Sequence, residues 1–155
     1  MGRVVAFDVG ERRIGVAVSD ASGTLARPVR TLQVARLDAT AVVTAASEVS
    51  RFAAEEDGVS ELVVGLPRRL DGSANAMTSR VEQFARDLAS RTQLHVTLQD
   101  ERLSSHEAES RLGEREKDWR VRKQRLDAAA AAVILQDYLD TRPGRVMPVS
   151  DAPEF

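Results

Sequence analysis

The hydrophobic period changes once along this chain, and that change limits the folds open to it. Residues 3–33 hold three short β-rich runs: Arg3 to Val9 (RVVAFDV), Ile14 to Ser19 (IGVAVS) and Leu25 to Gln33. The first is apolar on both sides, as a strand covered on both faces must be. The second alternates small and branched side chains. Pro28 cannot donate to a ladder inside a sheet, so the third run suits an edge. Turn signals at 10–13 and 20–23 predict an antiparallel meander.

Beyond residue 38 helical and strand periods alternate. Asp38 is placed to cap a helix running to about Asp57 and closed by Gly58, with the stripe Val42, Ala45, Val49, Phe52 and Ala53. Glu61 to Leu66 predicts a short buried strand. Met77, Val81, Phe84, Ala85 and Leu88 mark a second helix, and Leu94, Val96 and Leu98 alternate as a strand ending at Asp100. Ser104 and Glu107 have capping-box spacing for a short helix stopped by Gly113. A charged segment, 114–125, then precedes a last helix from about Leu126 to Leu139, which is apolar nearly all round and so predicted to be buried. The order predicts an α/β domain: a mixed five-stranded sheet, three antiparallel strands then two parallel, flanked by helices. That layout is compatible with the ribonuclease H-like fold. Residues 1–140 are the expected single domain and 141–155 a C-terminal tail.

Composition removes several classes of function. With 43% hydrophobic and 30% charged residues, the chain has the profile of a soluble globular protein. It has no cysteine, which excludes zinc fingers, iron–sulfur sites and thiol nucleophiles. The apolar run Ala128 to Leu135 is far short of the ~20 residues of a membrane span. The N-terminal apolar run stops at Asp8, too early for a signal peptide, so a cytoplasmic protein is expected. Net charge is −2, which does not advertise a nucleic-acid binder but leaves room for a local basic patch. Aromatic residues are 4%, too few for a broad base-stacking platform. Lys117 and Lys123 are the only lysines among 22 basic residues; codon bias accounts for this more simply than phosphate recognition does.

Three places could carry chemistry. Asp8 interrupts an apolar strand at its carboxyl end, where open α/β sheets form sites, and Gly10 follows it. Its ionised side chain needs a cation, a donor or solvent; a carboxylate bonding its own turn is the plainer alternative. Asp100 and Glu101 follow the last strand. They point to opposite faces of an extended chain, so at most one of them easily shares a site with Asp8. Asp127 is expected in the first turn of the last helix, where the dipole favours negative charge. It also shares a face with Ala131, Ile134 and Tyr138, which aims it inward. Carboxylates from a strand end, a loop and a helix would make a hard oxygen site. Magnesium prefers such donors, and two ions ~3.5–4 Å apart can activate water and stabilise a leaving oxygen in phosphodiester cleavage. The segment Lys117 to Arg125 (KDWRVRKQR) holds five basic residues and one acid around Trp119. A solvated charged helix entry is the commoner reading; a phosphate-contacting strip including Arg120, Arg122 and Lys123 is the functional one. His95 and His106 have no neighbouring nucleophile of triad character.

Four blocks in order, FDVGERRIGVAVSD at 7–20, GLPRRLDG at 65–72, DERLSSHEAE at 100–109 and LDAAAAAVILQDYLD at 126–140, carry a resemblance over nearly the whole chain. The sequence resembles the YqgF/RuvX family, Holliday-junction-resolvase-like nucleases also described as maturing the 16S ribosomal RNA precursor. The resemblance implies a ribonuclease H-like fold and metal-dependent phosphodiester hydrolysis with Mg2+ or Mn2+, leaving 5′-phosphate and 3′-hydroxyl ends. It places the family's acidic residues on Asp8, Glu101 and Asp127, so it selects Glu101 over Asp100. It puts Arg102, Ser104 and Ser105 near that site, and a basic pair on Arg12 and Arg13. The implied partners are structured RNA, branched DNA and a ribosomal precursor particle, with no membrane, for a monomer or homodimer. Ala6 and Arg69 depart from the family pattern, and Asn75 and Ala76 replace a glycine-containing turn; Asn tolerates a left-handed backbone. The alternative within the same fold is a catalytically idle nucleic-acid or ribosome-binding module. Sugar kinases and actin-like ATPases also open on an Asp-x-Gly turn, but they need two such domains.

Overall fold

The computed structural model describes residues 2–67, 73–100 and 119–142, with side chains for all of these but 119–126. Its elements are β1 (Arg3–Val9), β2 (Arg13–Ser19), β3 (Ala26–Gln33), α1 (Ala39–Ala53), β4 (Val59–Leu66), α2 (Thr78–Thr92), β5 (Val96–Asp100) and α3 (Trp119–Thr141). The strands form one sheet in the order β3-β2-β1-β4-β5. β3, β2 and β1 pair antiparallel, and β1, β4 and β5 pair parallel. This is the expected ribonuclease H-like arrangement, with Pro28 on an edge strand.

Strand alternation sorts the core into two layers. Val5, Phe7, Val9, Ile14, Val16, Val18, Leu62 and Val64 face α1 and α2 and pack on Val42, Val49, Phe52, Phe84 and Leu88. The intervening residues Val4, Ala6, Ala17 and Val63 face α3 and meet Ala131, Ile134, Leu135 and Leu139. The second face of the sheet is built mostly of small residues, so a helix backbone can lie close to it.

Both ends of α1 are decided by side chains. Asp38 accepts from Thr40 N at 2.9 Å, the expected N-cap. The helix stops at Ala53, four residues before the predicted Asp57. Glu55, Glu56 and Asp57 would sit at the negative end of the helix dipole, and buried Arg3 takes the chain end instead. Its guanidinium donates to Phe52 O at 3.0 Å and Gly58 O at 3.2 Å and pairs with Glu55 at 2.8 Å. Asn75 also differs from expectation. Gln93 is the only non-glycine with positive φ among the described residues. Asn75 instead receives Met77 N at 2.8 Å, and Thr78 Oγ1 donates to Pro67 O at 2.6 Å, so these side chains set the entry to α2.

α3 begins at Trp119 rather than at Leu126. Arg, Lys and Gln are good helix formers but carry no apolar period, so the sequence pattern hid this start. The expected short helix at 104–113 lies outside the described residues. The far end of α3 is tied down twice. The Gln136 amide accepts from Ala26 N and donates to Thr24 O, both at 2.9 Å. Tyr138 Oη donates to Glu61, and Arg142 Nη1 holds the other Glu61 oxygen at 3.2 Å. Among the described residues no helix is long and apolar enough to cross a membrane.

Burial, and then the bond to Glu61, hold the Tyr138 phenol above its ordinary value of 10.0. The unfolded phenol therefore ionises first as the pH climbs, and the stabilisation is complete below about 10 and fades above it. Tyr138→Phe is expected to cost about 1.5 kcal/mol at pH 7. Because Tyr138 is the chain's single tyrosine, the variant should also lose the phenol's part of the stability decline above pH 10. Urea melts at pH 7 and across pH 9.5–11 (about the phenol range) check both effects.

Candidate active site

Asp8 is the penultimate residue of β1, and alternation puts it with Val4 and Ala6 on the α3 face. It is half-buried. The chain then turns tightly, with Gly10 N donating to Arg13 O at 2.8 Å, and β2 returns beside β1. In this register Asp8 is directly opposite Gly15, at a cross-strand spacing of about 4.5–5.5 Å. Arg13, Gly15 and Ala17 share the α3 face, while Ile14, Val16 and Val18 fill the other.

At Gly15 the backbone of α3 itself meets the sheet. A Cβ built there would lie 1.9 Å from the Asp127 carbonyl oxygen and 2.4 Å from its carbonyl carbon. The helix backbone thus rests on β2 at the residue paired with Asp8. Asp8 and Asp127 flank this one glycine, a strand residue and a helix residue 119 positions apart in sequence. Arg13 joins them from the same face, its Nε 2.8 Å from Asp127 Oδ2; both side chains are partly shielded from solvent.

Asp127 is the ninth residue of α3, not in its first turn. The dipole effect falls off within the first turn, so compensation of a helix N-terminus does not account for this carboxylate. Its shared face with Ala131, Ile134 and Tyr138 is as expected, and all three are buried. Asp100 pairs with Leu66 and belongs by alternation to the α1/α2 face with Val96, whereas Gln99 reaches across to Asp137 of α3. Asp100 is therefore not on the face of Asp8. Arg12 is exposed at the turn, and its carbonyl accepts from Val34 N at 3.0 Å. His95 is exposed, at some remove from the pair. Glu101, Arg102, Ser104, Ser105 and His106 lie outside the described residues, as do the side chains of Arg120, Arg122 and Lys123.

Sequence reasoning missed the two features that assemble the site. Gly15 had a signal: glycine inside a strand often marks close approach of another backbone. The Arg13–Asp127 pair had none, because it spans two elements far apart in sequence. Two described surface cavities, of about 390 and 190 Å3, lie against α1 and α2 instead and are lined by residues such as Val43 and Arg91, or Asp38 and Arg80. Among the described residues no three acidic or histidine side chains form a metal-binding group. Asp8 and Asp127 supply two carboxylates, hard oxygen donors of the kind a small divalent cation prefers.

A mixed sheet in this strand order, with one carboxylate ending its central strand and another on the helix laid across it, defines the ribonuclease H-like class. Across solved structures the chain is similar to Thermus thermophilus RuvC in complex with Holliday junction substrate, with a TM-score of 0.53, 14% identity, and coverage of 93% of this chain and 97% of that one. The sequence profile of RuvX, described as Holliday junction resolvase, matches residues 2–141. A relative from Dechloromonas aromatica, named "Putative pre-16S rRNA nuclease", is 40% identical over 96% of this chain and 97% of its own length. Relatives of the same name from Burkholderia lata and Chloroflexus aurantiacus are 44% and 40% identical over 88% and 90% of this chain, and 88% and 87% of their own lengths. The chain belongs to the RuvX (YqgF) family of nucleases.

Gly15→Ala tests the contact that builds the site. The added methyl meets backbone, which cannot swing aside as a flexible side chain would. A loss of about 2 kcal/mol in urea melts is expected, in the range of overpacking costs, with α3 displaced from β2. A variant as stable as the parent would show that the helix does not rest there.

Proposed function

We propose that this chain is a divalent-metal-dependent nuclease that hydrolyses phosphodiester bonds in structured nucleic acid, with 16S ribosomal RNA precursor as its main substrate. Cleavage of four-way DNA junctions is a related activity of the same site. The observation that carries this reading is the meeting of Asp8 and Asp127 across Gly15. The substrate class rests on the relatives' names and the family description.

Asp8, Asp127 and Glu101 would hold Mg2+ or Mn2+, which supplies Lewis-acid activation of water and charge stabilisation at phosphorus. Asp8 is held in its strand opposite Gly15, which fixes the backbone from which its carboxylate projects. Asp127 is fixed by the buried face of α3. Arg12, exposed at the β1–β2 turn, is free to meet a phosphate of the incoming strand. Helical spacing puts positions 120 and 123 about two turns and one turn before Asp127 along one side of α3, and position 122 on another. We therefore assign Arg120 and Lys123 to the backbone path leading to the carboxylates, and Arg122 to a flanking contact. Arg102, Ser104 and Ser105, which follow β5 in sequence, are assigned to the same path. The products are a 5′-phosphate and a 3′-hydroxyl. The setting is a ribosomal precursor particle in the cytoplasm. A monomer is enough for a single RNA strand, whereas symmetrical junction cleavage calls for a homodimer.

The test is a side-by-side cleavage assay of the purified chain on a precursor 16S RNA fragment and a four-way DNA junction, with Mg2+, Mn2+ or EDTA. The wild type should cleave only with the ions. Asp8→Asn should fold and bind but cleave about 10²–10³-fold more slowly, the scale of losing one preorganised electrostatic element. Cleavage by Asp8→Asn at the parent rate would overturn the assignment. Binding by the wild type with no cleavage under any ion would favour the idle binding module.

A further inference from the structure

We propose that Arg13 is a built-in counter-cation of the site, holding the Asp127 carboxylate until a divalent cation displaces it. The inference rests on the metal-dependent reading above and goes beyond the phosphate contact that the family resemblance implies for this residue. Arg13 opens β2 on the α3 face, two residues before Gly15. Its Nε is 2.8 Å from Asp127 Oδ2, and the two side chains are 30% and 24% exposed. The pair is thus partly shielded from solvent, and its attraction is less screened than that of a fully exposed ion pair.

The surroundings explain why a cation belongs there. Asp8 lies opposite Gly15 on the α3 face and the Asp127 backbone rests on that same glycine, so two acidic residues belong to one small region of the fold. Like charges placed near one another repel. A guanidinium on the same face offsets that repulsion without a bound ion. The same contact sets up a competition, because an oxygen held by Arg13 is one that a divalent cation must win. Once Asp127 turns to the cation, Arg13 is left with an uncompensated positive charge beside the reacting centre, suited to a phosphate oxygen. One residue thereby serves the unloaded site as a counter-ion and the loaded site as an anion contact.

The competition has a binding readout that does not depend on catalysis. Mn2+ is titrated calorimetrically into the metal-free full chain and into Arg13→Gln, Arg13→Lys and Asp127→Asn, with circular dichroism confirming the fold. Arg13→Gln should bind Mn2+ about tenfold more tightly than the wild type, Arg13→Lys should stay near the wild type, and Asp127→Asn should bind far more weakly. Tightening in Arg13→Gln with none in Arg13→Lys establishes the competition. Unchanged or weaker Mn2+ binding in a folded Arg13→Gln overturns it while leaving the metal reading intact. Absence of Mn2+ binding in wild type and Arg13→Gln alike overturns the metal reading itself, and the inference with it. If Arg13→Gln does not fold, the wild type decides: the Arg13 Nε–Hε resonance, assigned by its loss in Arg13→Lys, should shift on Mg2+ addition, and a resonance that stays in place overturns the inference.

Discussion

The approach of α3 to the sheet at Gly15 is the constraint on which the rest of this structure depends. A helix normally stands off a sheet by the length of the side chains between them. Here Ala6, Gly15 and Ala17 on one side and Ala128 and Ala131 on the other leave almost no spacer, and the Asp127 backbone comes down onto β2. The opposite face is filled in the usual way by Phe7, Ile14, Phe52, Phe84 and Leu88. The domain is thus asymmetric. One layer holds bulk and supplies most of the apolar burial; the other gives up bulk to set a short distance between a helix and a strand.

Charge is distributed to match. At the far end of the sheet, charged and polar side chains are consumed in stitching. Arg3 holds the end of α1, Glu61 joins Tyr138 to Arg142, and Asp20 accepts from Ser22, Thr24 and Leu25 in the β2–β3 turn. The Ser22 hydroxyl, first among these, lowers the Asp20 carboxyl below its ordinary value. At the near end, Asp8, Arg13 and Asp127 gather on the face of the closest contact, where stability alone would favour apolar groups.

Much of this was written in local patterns. β1 ran from Arg3 to Val9 in pattern and in structure, because its apolar run is bounded by clear turn residues. Pro28 marked the edge strand, and Asp38 marked the start of α1. The inward aim of Asp127 followed from its helical spacing to Ala131, Ile134 and Tyr138. Boundaries set by distant partners were not legible. α1 ends early where Arg3, some fifty residues away, takes the Phe52 carbonyl. α3 starts early because helix propensity continues through Arg and Lys after the apolar period has stopped. Asn75 gave no hint that it would receive the first amide of a helix entry rather than adopt a left-handed turn.

The amino-acid sequence by itself determined the described strands and helices, their order and the two faces of each strand, since each follows from a period or from motifs within a few residues. Position along the chain could not say which side chains meet. Asp8 and Asp127 are neighbours only because β1 pairs with β2 in one register and α3 settles on that register's glycine. Arg13 belongs to Asp127 for the same reason. Tertiary packing decided those meetings, because a close approach between a helix and a strand depends on the small residues of both at once.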